Sequence, residues 1–296
     1  MTDEPSRYGT SLIERLNERS LRNLREPVRI VLGRFANRAA LYPKIPWRGW
    51  SLACLMLAGV CLVFLDDVAG RHRGQWPSNF GAVADIVTKL GLGKWYIVPA
   101  AIWLLFVNLT EWRDLSRRRL AMVYNRTCLA FFVLISAGFS GLAVLFLKSA
   151  IGRARPLNYE EFGILSLHPF MLDARFASFP SGHATVIGAV AAVLLLLFPK
   201  WKYAVPAFAV SVASTRIFVG AHYPSDAVVG FGLGFGCAIV TAVVFARLGF
   251  IFMQAPYGLP VRKKTFRLGR ARPVTPPAVS KAANAQGQEA AQLRMS

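Results

Sequence analysis

The sequence predicts an all-α polytopic membrane protein with six transmembrane helices. Its 296 residues are 54% hydrophobic and only 17% charged, and the mean hydropathy is +0.41. A soluble domain would carry about 25% charged residues. Six apolar runs approach the roughly 17–25 residues that a spanning helix needs. They cover approximately residues 48–65, 95–110, 127–147, 184–199, 203–221 and 226–248.

Basic segments flank the apolar region at both ends. We expect residues 1–47 to form a basic amphipathic cytoplasmic segment, residues 48–250 the membrane domain, and residues 251–296 a basic, disordered cytoplasmic tail. In the first segment, arginines recur at the three- and four-residue steps of a helix, at Arg15, Arg19, Arg22, Arg25 and Arg29. Such a helix, bent near Pro27, fits the anionic inner leaflet of a membrane. A solvated charged helix is the alternative.

The distribution of basic residues predicts the orientation of the helices. With six spans, the segment 1–48, the loop 111–126, Lys200 with Lys202, and the chain from Arg247 onward lie on one side. Together they hold 26 of the 35 lysines and arginines. Because basic residues concentrate on the cytoplasmic side, we expect both termini in the cytoplasm of a bacterium, with the protein in its inner membrane. The net charge of +20 is therefore assigned to topology and anionic lipid, and not to nucleic acid binding.

The four cysteines indicate neither disulfides nor a zinc site. Cys54, Cys61, Cys128 and Cys237 all fall inside apolar runs and lack the C-x2-C spacing of zinc ligands. We expect them to be buried thiols that behave as small apolar side chains.

Three short clusters combine cations or histidines with small residues, and each lies at the end of an apolar run. They are Lys148 with Arg155-Pro156, the run Pro180-Ser181-Gly182-His183, and Arg216 followed by His222 and Asp226. Counting spans places all three at the non-cytoplasmic ends of helices 3–6. The sequence therefore predicts one active site, at the outer face of the membrane.

His222 and Asp226 have the spacing of a histidine oriented by a carboxylate. Pro224 suits the first turn of a helix, so Asp226 follows His222 by about one helical turn. A carboxylate beside one imidazole nitrogen fixes the tautomer and leaves the other nitrogen free to attack. A plain helix cap by Asp226 is the alternative, but it does not account for Arg216.

The other two clusters have the chemistry of a phosphate site. Gly182 and Ser181 precede a helix whose first N–H groups can bind phosphate, and His183 can donate a proton to a leaving group. Cationic side chains can clamp phosphate oxygens. Those cations are Lys148, Arg155 and Arg216, whereas we expect Arg153 to be a surface cation. Carboxylates near the clusters are too few for a hard-cation cage, so we expect neither a metal nor another cofactor.

Together, the three clusters resemble the signature of the type 2 phosphatidic acid phosphatases, the integral-membrane lipid phosphate phosphatases related to vanadium-dependent haloperoxidases. The resemblance covers roughly residues 127–246. It implies that His222 is a nucleophile that forms a phosphohistidine, that Asp226 orients it, and that His183 is the general acid. It also implies a metal-free reaction in which five residues bind phosphate: Lys148, Arg155, Ser181, Gly182 and Arg216.

Three functions remain open on the sequence. The first is hydrolysis of lipid phosphate or diphosphate monoesters, with undecaprenyl diphosphate, phosphatidylglycerol phosphate and lipid A phosphates as fitting substrates. The second is phosphotransfer from the same phosphohistidine to a lipid or sugar hydroxyl. The third is a lipid-phosphate binder or transporter without catalysis, which predicts a damaged catalytic pair. Since His183, His222 and Asp226 are all present, catalysis is favoured.

The orientation can be tested by labelling single cysteines in a chain that lacks the four native ones. A cysteine in the loop 157–179 should react with an impermeant thiol reagent added to intact spheroplasts. A cysteine in the loop 111–126 should react only after the inner membrane is opened, because that loop carries five arginines. The reverse pattern would place the active site in the cytoplasm.

Overall fold

The computed structural model describes residues 12–38, 43–73, 75, 77–255 and 257–266. Within them the chain is mostly helical. Its α-helices are α1 (Leu12–Asn37), α2 (Trp47–Phe64), α3 (Asp66–Arg71), α4 (Ser78–Thr88), α5 (Lys94–Leu109), α6 (Arg117–Ile151), α7 (Tyr159–Phe162), α8 (Gly182–Leu197), α9 (Ala204–Phe218) and α10 (Pro224–Leu248). Single 3-10 turns occur at Lys89–Gly91, Pro156–Asn158, Ala174–Phe176 and Pro199–Trp201, and two short antiparallel strands at β1 (Phe252–Met253) and β2 (Val261–Arg262).

A helix occupies each of the six positions where the sequence predicts a span. Among the described residues, four helical stretches are long and apolar enough to cross a membrane: Trp47–Phe64, Asn79–Leu109, Arg117–Ile151 and Pro224–Leu248. α8 and α9 are apolar but have only 16 and 15 residues, and a helix of that length rises about 24 Å. The hydropathy pattern therefore located the six apolar helices. It did not predict α3 and α4, which lie between the first two predicted spans.

The centre of the bundle is the contact between α8 and α10, where glycines allow the backbones to approach closely. A Cβ on Gly234 would collide with the carbonyl oxygen of Thr185, and one on Gly230 with that of Ser181. Small residues at i and i+4 permit such packing between membrane helices. The close approach brings the first turns of α8 and α10 side by side, and both turns carry predicted site residues.

α1 packs against the end of the bundle opposite the three clusters. Asn23 donates a hydrogen bond to the carbonyl oxygen of Asn108 (2.8 Å), and Arg22 pairs with Glu111 (2.6 Å), just after α5. Arg34 donates to the carbonyl oxygen of Leu248 (3.2 Å), the last residue of α10. The basic helix and the predicted active site therefore lie at opposite ends of the membrane helices.

The chain after α10 corrects one expectation. We expected disorder from residue 251, but residues 251–255 and 257–266 are folded against the bundle, and β1 pairs with β2. Ile251, Phe252 and Phe266 are buried in the same core as Phe132 of α6 and Phe245 of α10. Three large apolar side chains give this segment enough burial to order it. The rest of the predicted tail, 267–296, lies outside the described residues.

The four cysteines are free thiols, as expected. Cys61, Cys128 and Cys237 are buried, and Cys54 is half-buried.

Candidate active site

The three sequence clusters meet at one end of the bundle. Lys148 lies in the last turn of α6, and Arg216 in the last turn of α9. His183 lies in the first turn of α8, and Asp226 lies in the first turn of α10. Neighbouring helices run antiparallel and bring these four ends together. Lys148 and Asp226, which are 78 positions apart in sequence, therefore interact electrostatically.

His222 is buried directly beside Asp226. Its Nδ1 lies 3.7 Å from Asp226 Oδ2 and has no hydrogen-bond partner among the described residues. The contact is close enough for electrostatic attraction and slightly long for a hydrogen bond. Burial lowers the pKa of His222 from 6.5 to about 4, and the nearby carboxylate opposes this only in part. The imidazole is therefore neutral at pH 7, with Nδ1 turned toward the carboxylate.

The Asp226 carboxylate is fixed by three donors besides its contact with His222. Ser178 donates its hydroxyl to Oδ2 at 2.5 Å, and the N–H of Tyr223 donates to the same oxygen at 2.9 Å. Arg153 donates to Oδ1 at 2.6 Å. Because three donors already satisfy it, the carboxylate stays ionised in a buried position.

Arg153 is the main correction to the sequence-based site. We expected a surface cation, but the side chain is buried and forms ion pairs with Asp226 and with Asp66 (2.8 Å). Its guanidinium also lies 4.3 Å from the centre of the Tyr223 ring. Two fully buried carboxylates need a buried cation. Hydropathy counting does not reveal such a pair, because its members are 87 residues apart.

Asp66 is the residue that the sequence analysis missed. It follows α2, is fully buried, and accepts hydrogen bonds from the N–H of Ser225 (3.0 Å) and from the Ser225 hydroxyl. It therefore ties the end of the first spanning helix to the first turn of α10. An acidic residue at the end of an apolar run is costly in a membrane and was the signal that could have identified it.

The three predicted phosphate cations lie together, and two of them keep unpaired donors. The buried Nε atoms of Arg155 and Arg216 have no hydrogen-bond partner among the described residues. Lys148 donates to the carbonyl oxygen of Ala177, and Arg216 also donates to Thr88 at 3.3 Å. The cations repel one another. An anion bound between them would satisfy the unpaired donors and remove that repulsion.

The second cluster forms the start of α8. Ser181 is fully buried and caps the helix by accepting a hydrogen bond from the N–H of Ala184 at 3.4 Å. The space beside Gly182 is open, since an added Cβ would meet only Val144, at 3.9 Å. The ring of His183 makes no hydrogen bond within the described part of the chain and is near enough to Arg216 and His222 to interact with them. All eight predicted site residues thus gather at this end.

Comparison with known proteins gives the same family as the motifs. Residues 126–250, which include all eight site residues, match the PAP2 superfamily. The chain is also 34% identical to a lipid A 1-phosphatase of Rhizobium johnstonii, over 76% of this chain and 91% of the relative. The chain belongs to the PAP2 superfamily. It is a membrane phosphatase.

Other PAP2 proteins show more distant similarity. An undecaprenyl-diphosphatase of Bacillus subtilis is 33% identical over 60% of this chain and 75% of its own length. The crystal structure of a PAP2-type phosphatidylglycerolphosphate phosphatase from Bacillus subtilis has a TM-score of 0.45 and 21% identity, covering 65% of this chain and 92% of that one.

Replacing Arg153 tests the buried ion pairs. Arg153→Met leaves Asp66 and Asp226 buried without a cation, so we expect a loss of about 3–5 kcal/mol in the free energy of unfolding. The control is Arg175→Met, because Arg175 pairs with Asp173 in an exposed position, where water screens the attraction and the pair should contribute little to stability. Thermal unfolding of both purified variants in the same detergent measures the difference. Equal shifts would show that Arg153 carries no special structural role.

Proposed function

We propose that this PAP2 protein hydrolyses phosphate or diphosphate monoesters of membrane lipids through a phosphohistidine formed on His222. The observation that carries the proposal is the grouping of Lys148, Arg155 and Arg216 around two histidines, with the buried Nε donors of both arginines unpaired. This arrangement supplies a nucleophile, a proton donor and a cationic cradle in one place.

In the first step, Nε2 of His222 attacks the phosphorus atom of the substrate. Nδ1 faces Asp226, so Nε2 is the nitrogen left for the new N–P bond. The bound phosphate anion favours the protonated form of His183, because its negative charge offsets the burial and the neighbouring cations Arg216, Lys148 and Arg155. As the N–P bond forms, the bond between phosphorus and the lipid oxygen breaks, and His183 donates this proton to the leaving oxygen. Asp226 stabilises the positive charge that develops on the His222 ring, as an orienting carboxylate does in a catalytic triad.

The cations stabilise the charge of the transferring group. Arginine forks match two phosphate oxygens at once, while the ammonium of Lys148 acts as a point charge. The backbone N–H of Arg155 is bonded to the carbonyl oxygen of Arg175, and the side chain of Arg216 is bonded to Thr88. Both contacts limit the reorganisation that the reaction needs. The open space beside Gly182 lets phosphate oxygens approach the N–H groups at the start of α8.

In the second step, water attacks the phosphohistidine and releases inorganic phosphate. His183, deprotonated in the first step, accepts the proton from that water, which returns both histidines to their starting state. A lipid or sugar hydroxyl in place of water would make the same intermediate a phosphotransferase. A non-catalytic binder or transporter would not need the buried imidazole of His222 beside the carboxylate of Asp226, so this pair favours catalysis.

Similarity to relatives favours lipid A phosphate as the substrate. The lipid A 1-phosphatase matches over nearly its whole length, at 91%. Undecaprenyl diphosphate is the second candidate, since the undecaprenyl-diphosphatase of Bacillus subtilis matches over a smaller part of its length, 75%.

The position of α1 supports an orientation with both termini in the cytoplasm of a bacterium and the active site at the periplasmic face. α1 carries exposed arginines and an exposed apolar row that includes Leu24, Val28 and Leu32. It is tied to the ends of α5 and α10 that lie away from the site. A helix of this kind fits the anionic inner leaflet.

Replacing the nucleophile tests the proposed mechanism. With His222→Ala, we expect release of phosphate from lipid A, undecaprenyl diphosphate and phosphatidylglycerol phosphate to fall at least about 10⁴-fold, because no phosphohistidine can form. His72→Ala is the control, since His72 is exposed and should retain full activity. Acid-labile labelled phosphate trapped on the parent protein, and absent from His222→Ala, would support the intermediate. Near-normal turnover by folded His222→Ala would exclude it.

A second prediction concerns metals and vanadate. Both buried carboxylates of the site, Asp66 and Asp226, are engaged by Arg153, so activity should survive exhaustive chelation. Vanadate should inhibit by occupying the phosphate cradle as a trigonal-bipyramidal mimic of the transition state. Phosphate release with and without chelator and vanadate provides the measurement. Loss of activity on chelation, restored by a divalent ion, would contradict the metal-free mechanism.

A further inference from the structure

The loop between α7 and α8 exposes large apolar side chains at the active-site end of the bundle. Within eight residues, five such side chains are exposed: Leu165, Leu167, Phe170, Met171 and Leu172. Leu172 is 94% exposed and Phe170 is 75% exposed. We refer to residues 164–172 as the apolar loop. A contiguous exposed apolar patch marks a surface that contacts a partner or a membrane.

The apolar loop is fixed to the segment that carries the site cations. The N–H of Ala154 donates to the carbonyl oxygen of Ser166 (3.0 Å), and the N–H of His168 to that of Gly152 (2.8 Å). The N–H of Phe170 donates to the carbonyl oxygen of Ser149 (2.5 Å). These bonds join the loop to residues 149–154, which lie between Lys148 and Arg155. The loop and the cradle therefore form one rigid piece of structure.

One side of the loop packs against the protein through His168, so the apolar side chains on its other side remain exposed. The ring of His168 lies 4.1 Å from the ring of Phe176 and 5.7 Å from that of Phe162. Gly152 has a φ of +60°, and a Cβ there would collide with the carbonyl oxygen of His168. His168 is half-buried and anchors the loop.

Phe170 is held with its side chain at the surface. It is the one non-glycine residue with positive φ (62°) in the described part of the chain. Its N–H is bonded to the carbonyl oxygen of Ser149, and its side chain is 75% exposed. The fixed backbone of the loop therefore keeps a large apolar side chain uncovered.

The apolar loop continues the lipid-facing surface of α6. Leu142, Leu145 and Phe146 are exposed on α6 and, with Ser149, recur at the three- and four-residue steps of one helix face. Ser149 is the residue to which Phe170 is bonded. The apolar surface that α6 presents to the bilayer thus passes directly into the loop.

We propose that the apolar loop inserts into the hydrocarbon edge of the leaflet at the active-site end and contacts acyl chains there. The exposed charged residues on either side of it, Glu161 and Arg175, stay in water, where an impermeant thiol reagent reaches the 157–179 segment. The proposal rests on the proposed function for its catalytic consequence. The loop holds the acyl part of the lipid substrate at a fixed height beside residues 149–155, so that its phosphate reaches Arg155. The loop thereby favours substrates that are presented within a membrane.

Contact with acyl chains can be measured without any activity. An environment-sensitive fluorescent amino acid is placed at Leu172 in the full chain and, as a matched control, at Glu161, an exposed charged residue of the neighbouring α7. Each protein is reconstituted in nanodiscs with and without lipids brominated on their acyl chains. We expect quenching by bromine at position 172 and little at position 161. Equal quenching, or protection at position 172 by a bound protein, would overturn the proposal.

Kinetics test the catalytic consequence. Leu172→Ser removes an exposed side chain and should leave folding intact. With a long-chain lipid phosphate in nanodiscs, we expect KM to rise about three- to tenfold at unchanged kcat, since a leucine loses its apolar contact. With a short-chain, water-soluble lipid phosphate, neither constant should change. Glu161→Ser is the control and should match the parent on both substrates.

The outcomes separate the two proposals. Equal losses on both substrates, or no loss on either, would overturn the role of the apolar loop while the phosphatase function stands. If the parent chain releases phosphate from neither substrate, the proposed function fails, yet quenching at position 172 would still report whether the loop enters the lipid.

Discussion

Arg153 joins two buried carboxylates that are far apart in the sequence of the membrane domain. Asp66 follows the first spanning helix, and Asp226 belongs to the last. Either carboxylate alone would be an uncompensated charge in a water-poor interior, so the fold is most stable when all three side chains meet. The rest of the site is close to this network, because the ring of His222 lies beside Asp226. The ion pairs of Arg153 with Asp66 and Asp226 thus connect the packing of the bundle with the arrangement of the proposed site.

The same network gives the site its charge. Arg153 pairs with both buried carboxylates, while Lys148, Arg155 and Arg216 lie close to the two histidines. The electrostatic field among these cations favours an anion such as phosphate. Burial keeps the pKa of His222 low. In the proposed mechanism this is required, because only the neutral ring has a free electron pair for attack on phosphorus.

The two ends of the bundle are built for different surroundings. At one end, α1 presents arginines and hydrogen-bonds to the ends of α5 and α10. At the other end, the apolar loop carries bulky side chains that the chain leaves uncovered. The predicted site lies at this second end, at the start of α8 and the end of α9.

The sequence by itself determined the six apolar helices and the family, and it placed eight candidate site residues in short motifs at helix ends, because hydropathy, short motifs and helix ends are local properties. Each predicted span has its helix, and Lys148, Arg155, His183, Arg216 and His222 gather as the motifs implied. Arg153 and Asp66 could be understood only from the tertiary structure. A buried ion pair depends on which distant segments come into contact, and the sequence around Arg153 looks like that of any surface cation. The order of residues 251–266 was also decided by tertiary packing, since Ile251, Phe252 and Phe266 find their apolar partners on helices far away in the sequence.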